Sequence, residues 1–188
     1  MTASAPALPA TMRGVVMHAA GDVRVEDREV PHVIEPTDAV VKLEAACVCG
    51  SDLWPYRGIQ PLEEARPMGH EYVGTVVEVG DEVKNVKVGD FVVGSFCISD
   101  NTCEICEDGF QSRCANGGFM GDTQAEYTRV PQADGTLVVV PGGKPEDPEI
   151  IASLLAASDV LGTGWFGAVA AQAGPGKTIA VVGDGAVG

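Results

Sequence analysis

The loop Ser99–Cys114, with the sequence SDNTCEICEDGFQSRC, constrains the fold of this chain more than any other segment. Its cysteines, Cys103, Cys106 and Cys114, follow C-x2-C-x7-C spacing, and Asp100 lies three residues before the first of them. Cysteines stepped in this way within a glycine-containing loop are typical of four ligands around one tetrahedral zinc ion. Because only three of the four positions are cysteines, either Asp100 is the fourth ligand or the site is incomplete.

Composition narrows the class of protein. The chain has 188 residues and a net charge of -15, a charge that disfavours nucleic acid and anionic membranes as partners. Residues 1–11 are rich in Ala, Pro, Ser and Thr and lack the basic start and apolar run of an export signal, so they predict a flexible tail. No segment approaches the ~18–20 apolar residues of a membrane helix. Without an export signal, six cysteines favour metal-bound thiolates over disulfides, and we expect a cytoplasmic protein.

Residues 12–140 consist of short β-rich runs separated by turn residues such as Ala20-Gly21-Asp22. Many short strands at close spacing with few helices predict a closed or nearly closed barrel. The predicted strands are Gly14–His18, Val23–Glu29, Ala39–Ala46, Gly74–Val79, Asp90–Gly94 and Ala125–Val130.

The pattern changes after residue 143. Helices are predicted over 148–157, where Pro148 suits a first turn, and over 162–173. The apolar run Lys177–Val182 then predicts a buried strand of the parallel type. It leads directly into G-x-G-x-x-G at Gly183, Gly185 and Gly188, the context of a dinucleotide fingerprint, although a glycine-rich turn after a core strand is the alternative. The residue that would select NAD or NADP is not in the sequence, so both stay open.

A second metal constellation is formed by Cys49, within CVCGSDLW, and His70, within GHEYVG. Thiolate and imidazole are both ligands that suit zinc. His18 and His32 have no such surroundings, and we interpret them as ordinary strand or surface residues.

Seven motifs now occur in order along the chain, and together they resemble the N-terminal part of a zinc-dependent medium-chain alcohol dehydrogenase. The resemblance implies a mainly β GroES-like barrel domain over residues 12–157, followed over residues 158–188 by the beginning of an α/β Rossmann nucleotide-binding domain. The motifs are CGSDLW (49–54), GHEYVGTVVEVG (69–80), VKVGDFVV (86–93), the cysteine loop, AEY (125–127), SDVLGTGW (158–165) and GDGAVG (183–188).

The resemblance implies a catalytic zinc held by Cys49, His70 and Asp159, where many relatives have a third cysteine in place of the aspartate. Glu71 matches a residue close to the metal that can exchange with its water. Asp52 matches a carboxylate that orients His70.

Further roles follow by position. Ser51 matches the hydroxyl that begins proton removal, and Trp54 stands where some relatives have a histidine that completes the relay. Gly50, Thr163 and the three fingerprint glycines are implied to contact the cofactor. Asp100, Cys103, Cys106 and Cys114 are implied to hold a structural zinc, with Cys97 as the rival fourth ligand, whereas Cys47 has no role and is expected to be buried.

The resemblance therefore predicts an oxidoreductase with one catalytic and one structural zinc, which interconverts a small-molecule alcohol and an aldehyde or ketone by hydride transfer to NAD or NADP. It also implies a homo-oligomer, a dimer or tetramer, with neither nucleic acid nor membrane as a partner. Two alternatives remain: a non-catalytic GroES-like module stabilised by zinc, and a quinone-reductase relative without catalytic zinc.

Overall fold

The computed structural model describes residues 8–188, in which short strands dominate up to residue 139 and helices follow. The strands are β1 (Thr11–Ala19), β2 (Asp22–Glu29), β3 (Ala39–Ala46), β4 (Arg66–Pro67), β5 (Tyr72–Val79), β6 (Phe91–Gly94), β7 (Cys97–Ile98), β8 (Gly118–Phe119), β9 (Tyr127–Val130) and β10 (Leu137–Val139). The helices are α1 (Leu53–Tyr56), α2 (Glu104–Glu107), α3 (Ala133–Thr136), α4 (Pro148–Ala156) and α5 (Val160–Ala170).

The strands form three sheets. The largest has the order β10-β6-β5-β3-β9, and a second has the order β2-β1-β4. One bridge between Gly14 of β1 and Ala125 joins them, supported by the Val15 N–H, which donates to the Gln124 carbonyl at 2.8 Å. The small pair β7-β8 carries the cysteine loop. The mainly β architecture predicted from the strand pattern is therefore found.

Both faces of the large sheet are covered. One face buries the main core, in which Val41, Tyr72 and Val92 are fully enclosed. On the other face Val73 and Phe91 pack against Ile151, Leu154 and Leu155 of α4. Helix α4 begins where Pro148 predicted, with the Asp147 carboxylate accepting the Glu149 N–H at 2.9 Å. This packing places the end of α4, and the residues after it, beside the start of β5.

Two expectations need correction or restriction. Residues 177–182 do not form the predicted buried strand: they have no regular structure and are exposed. A strand is defined by hydrogen bonds to a neighbour, and the described residues offer this segment no partner strand. The predicted tail falls mostly on residues 1–7, which lie outside the described residues, and Thr11 already belongs to β1.

Helix length also bears on the membrane question. Within residues 8–188 no single helix is long and apolar enough to cross a membrane. Helices α4 and α5, which meet at 47°, reach the length and apolar composition of a membrane span only when they are taken together.

Candidate metal and catalytic site

Cys49, Ser51 and Asp52 lie on the loop that leaves β3. A 3-10 turn over Gly50–Asp52 follows Cys49 and leads into α1. Asp52 Oδ2 accepts the backbone N–H of Cys49 at 2.9 Å, and the Asp52 N–H donates to the Cys49 carbonyl at 3.1 Å. These two bonds fix the Asp52 carboxylate close to Cys49, while Ser51 and Gly50 are exposed.

His70 and Glu71 lie immediately before β5, and the glycine before them is required by its surroundings. Gly69 has φ +92°, a region that side chains with a Cβ rarely adopt. A Cβ at Gly69 would also lie 2.6 Å from both the Cγ and the backbone nitrogen of Gln124. The close approach of the Gln124 segment therefore determines where His70 enters the site.

The structure brings four of the predicted metal-site residues together. One ligand atom from each of Cys49, His70, Glu71 and Asp159 lies within 4.8 Å of the others. His70 Nε2 is 3.4 Å from Asp159 Oδ2 and 3.8 Å from Glu71 Oε1, while Nδ1 is 4.0 Å from Asp52 Oδ1. One ring nitrogen thus faces the cluster and the other faces a carboxylate, as in many metal-bound histidines.

Asp159 enters the cluster from the turn between α4 and α5. Its Oδ1 accepts a hydrogen bond from the Thr163 hydroxyl at 2.9 Å, one turn later in the chain. The predicted role of Thr163 was cofactor contact; in this structure its hydroxyl holds a carboxylate of the metal cluster.

Glu71 is the most enclosed member of the cluster, with 2% of its surface exposed. Its Oε2 accepts a hydrogen bond from the Cys47 thiol at 3.0 Å. Burial, and then the adjacent Glu71 carboxylate, raise the pKa of Cys47 to about 12, so the thiol remains a donor at neutral pH.

The contact between Cys47 and Glu71 was missed by the sequence reasoning, which expected Cys47 to be buried; it is half-buried. The C-x-C spacing with Cys49 was an available signal, because alternate residues of an extended segment share a side.

A cavity of about 210 Å³ adjoins the cluster, and Ser51, Asp52 and His70 form part of its wall, together with Gln60 and Arg66. Trp54 is 60% exposed and does not line it.

Two aromatic residues near the cluster were also missed by the sequence reasoning. The Phe96 ring meets His70 edge-on at a centroid distance of 6.3 Å and stacks on Phe119 at 6.1 Å. No motif marks either ring, so only the folded structure places them beside the cluster.

The cysteine loop forms a second cluster: ligand atoms of Asp100, Cys103, Cys106 and Cys114 also lie within 4.8 Å of one another. The sulfur atoms of Cys103 and Cys114 are 3.9 Å apart. Burial raises the pKa of Cys106 to about 12. Cys97, the rival ligand, lies buried on β7, and this second cluster does not include it.

Asp100 is tightly held within its loop. Oδ1 accepts the backbone N–H groups of Thr102 and Cys103 at 2.9 and 3.0 Å, and Oδ2 accepts the Asn116 amide at 2.7 Å. The Thr102 N–H and then the Asn116 amide hold the pKa of Asp100 well below its ordinary value. The carboxylate is therefore ionised at neutral pH and fixed among the three sulfur atoms.

The fingerprint glycines lie in the irregular, exposed segment that follows α5. Gly183 has φ +101°, which suits the tight turn expected of a first fingerprint glycine.

Comparisons with known proteins agree with this geometry. Residues 35–142 match the alcohol dehydrogenase GroES-like domain. The chain belongs to this family. The zinc-type alcohol dehydrogenase B of Aspergillus flavus is 40% identical to this chain, and the match covers 94% of this chain and 43% of that relative. The alcohol dehydrogenase TADH from Thermus sp. ATN1 is 35% identical, with a TM-score of 0.77, over 88% of this chain and 49% of the other.

A zinc-binding dehydrogenase from Sinorhizobium meliloti, whose structure was solved with NADP bound, is 27% identical to this chain. Its TM-score is 0.67, over 86% of the chain and 46% of its own. The chain thus spans about half the length of the relatives described above. The resemblance to zinc-dependent medium-chain alcohol dehydrogenases, and the GroES-like fold class inferred from the motifs, are confirmed.

Proposed function

We propose that this chain provides the zinc-binding part of an oxidoreductase that interconverts an alcohol with an aldehyde or ketone, using NAD or NADP. The observation that carries the proposal is the convergence of Cys49, His70, Glu71 and Asp159 within 4.8 Å beside a cavity.

The charge balance of the cluster supports a bound cation. Among the described residues, His70 is the sole basic side chain within 4.0 Å of the carboxylates of Asp52, Glu71 and Asp159. Glu71 is nearly fully buried and receives one side-chain hydrogen bond, from Cys47. Burying a carboxylate without a cationic partner costs several kcal/mol, on the order of the penalty for an unpaired charge. A thiolate, an imidazole and carboxylates together suit zinc better than a hard cation such as magnesium.

Within this proposal Cys49, His70 and Asp159 would hold the metal, and Glu71 lies close enough to exchange with a water molecule on it. Zinc bound there would supply Lewis acidity that lowers the pKa of an alcohol, and NAD or NADP would supply the hydride acceptor. Asp52 Oδ1, 4.0 Å from His70 Nδ1, would orient the imidazole ring, and the Thr163 hydroxyl fixes Asp159.

Ser51, on the cavity wall, would accept the hydroxyl proton of the alcohol as it gives up its own hydroxyl proton. Trp54 cannot accept a proton from it, because the indole nitrogen is a donor only. The proton therefore passes to water, for which the polar wall near Gln60 and Arg66 has room.

The cofactor part of the proposal rests on the fingerprint glycines, Gly183, Gly185 and Gly188, and on the NADP-bound relative. Gly50 and Thr163 remain predicted contacts. The dimeric or tetrameric state and the cytoplasmic location also stay predictions.

We further propose that Asp100, Cys103, Cys106 and Cys114 hold a structural zinc. Three sulfur atoms and one carboxylate oxygen converge as a closed tetrahedral site needs. None of these four residues lines the cavity beside His70.

The experiment that tests the function is turnover of alcohols by the full-length protein and by its Cys49→Ala variant. We expect the variant to lose turnover while circular dichroism shows an unchanged fold. Cys97→Ala, which removes a cysteine outside both clusters, is the matched control and should remain active. Wild-type turnover by the Cys49→Ala protein would refute the assignment, and an inactive wild-type protein would favour the non-catalytic module.

A further inference from the structure

Gln124 lies behind the candidate catalytic cluster, on the segment that joins β1 to the large sheet. It is half-buried and none of the motif roles falls on it. Its amide nitrogen donates to the Cys47 carbonyl and to Asp52 Oδ2, both at 3.2 Å. Both partners are acceptors only, so the two hydrogens of one amide nitrogen satisfy both of them.

The two hydrogen bonds connect Gln124 to the surroundings of two proposed ligands, Cys49 and His70. The Cys47 carbonyl belongs to the loop that carries Cys49. Asp52 Oδ2, the second acceptor, also receives the Cys49 N–H, while Asp52 Oδ1 faces His70 Nδ1. One side chain is thus bonded to the loop that presents the sulfur ligand and to the carboxylate that orients the imidazole ligand.

The backbone around Gln124 makes the same connection. The N–H groups of Thr123 and Gln124 donate to the Met68 carbonyl at 3.0 and 2.9 Å. The buried Thr123 hydroxyl donates to the Glu71 carbonyl at 3.3 Å. The Gln124 segment is therefore tied on both sides of His70, and its Cγ approaches Gly69 so closely that no side chain fits there.

We propose that Gln124 is a positioning residue for the catalytic metal, whose amide holds the Cys49 loop and the Asp52–His70 pair in one fixed arrangement. The inference rests on the proposed metal site. Removing an outer hydrogen-bond partner of a metal ligand typically weakens metal binding by about 10–100-fold. The two bonds of Gln124 act on the ligands indirectly, through the Cys47 carbonyl and Asp52, so we expect a loss at the lower end of that range, about 10-fold.

The test separates the amide donor from the bulk of the side chain. Gln124→Met keeps the length of the side chain that packs against Gly69 and removes both amide N–H donors. Gln124→Glu keeps the shape of the side chain but places a carboxylate oxygen opposite the Cys47 carbonyl and Asp52 Oδ2, which are both acceptors. We expect both variants to bind the zinc of the Cys49 cluster about 10-fold less tightly in competition with a chelating dye. We also expect the visible absorption of a Co²⁺-substituted cluster to change.

The matched control is Gln111→Met, since Gln111 likewise donates its amide to a cysteine carbonyl, that of Cys106, in the other cluster. It should leave the affinity and the Co²⁺ spectrum of the Cys49 cluster as in the wild type.

Wild-type affinity and spectrum in both Gln124 variants would overturn the positioning role while leaving the proposed function intact. If the Cys49→Ala chain holds as much zinc as the wild type, the proposed function is overturned, and this inference with it.

Discussion

The most discriminating perturbation is at Asp100, because two substitutions there separate its two possible contributions. Asp100→Asn keeps one oxygen for the N–H groups of Thr102 and Cys103, but it replaces an ionised ligand with a poor one. Asp100→Cys supplies a fourth sulfur ligand and gives up the hydrogen bonds from Thr102, Cys103 and Asn116.

The magnitude for metal binding follows from the ligand count. Structural zinc in small domains is bound with about 10–16 kcal/mol at neutral pH, which is roughly 2.5–4 kcal/mol for each of four ligands. Loss of one ligand should therefore weaken zinc binding at this cluster by about two to three orders of magnitude in Asp100→Asn.

The magnitude for folding is smaller. Without zinc, the Asp100→Asn chain loses the hydrogen bond with Asn116. The N–H groups of Thr102 and Cys103 then donate to a neutral oxygen instead of a charged one, in a loop that is partly exposed to solvent. The expected loss is about 1 kcal/mol in the free energy of unfolding.

The assay is zinc retention during dialysis against a graded series of chelators, followed by metal analysis. Asp100→Asn should release one zinc at a chelator strength that leaves both zincs in the wild type, and Asp100→Cys should retain two. If Asp100→Asn retains both zincs as tightly as the wild type, Asp100 is not a ligand, and the three cysteines hold the metal with another group.

Two further predictions concern acid and cofactor. The pKa of Asp100 is lower in the folded chain than the ordinary value of about 3.9 for an aspartate, so its contribution to stability is present above pH ~4 and is lost as the pH falls through the folded-state pKa. In urea unfolding of the metal-free chain, the stability gap between the wild type and Asp100→Ala should narrow below pH ~4, and a gap constant from pH 7 to 3 would contradict this. Because residues 177–188 are exposed and unpaired by strands, calorimetry of the 188-residue chain should show weak NAD or NADP binding, and tight binding would be inconsistent with it.

The sequence predicted the sheet and both clusters because each has a local signal. The strand Ala39–Ala46 was predicted with its observed bounds, and the turn residues Pro36 and Asp38 mark its start. Ligand spacing and motif order identified the members of each cluster, and the fold places those members together. Asp159 needed the motif context, because a single aspartate among 27 acidic residues carries no signal of its own.

What could not be predicted depends on long-range contacts. Cys47 and Gln124 act through partners 24 and 72 residues away, Glu71 and Asp52 respectively. No local pattern encodes such pairs. The predicted strand 177–182 was wrong for the same reason, because its apolar character is local but its strand state depends on neighbours that the described residues do not supply.

The number of zinc ions per chain is the most direct test of the central claim, that aspartate completes two separate zinc sites. Metal analysis of the purified protein should give two zincs in the wild type and one in Cys49→Ala. After mild chelation it should also give one in Asp100→Asn. The account would be contradicted by a wild type with no zinc, or by a single zinc that both substitutions remove.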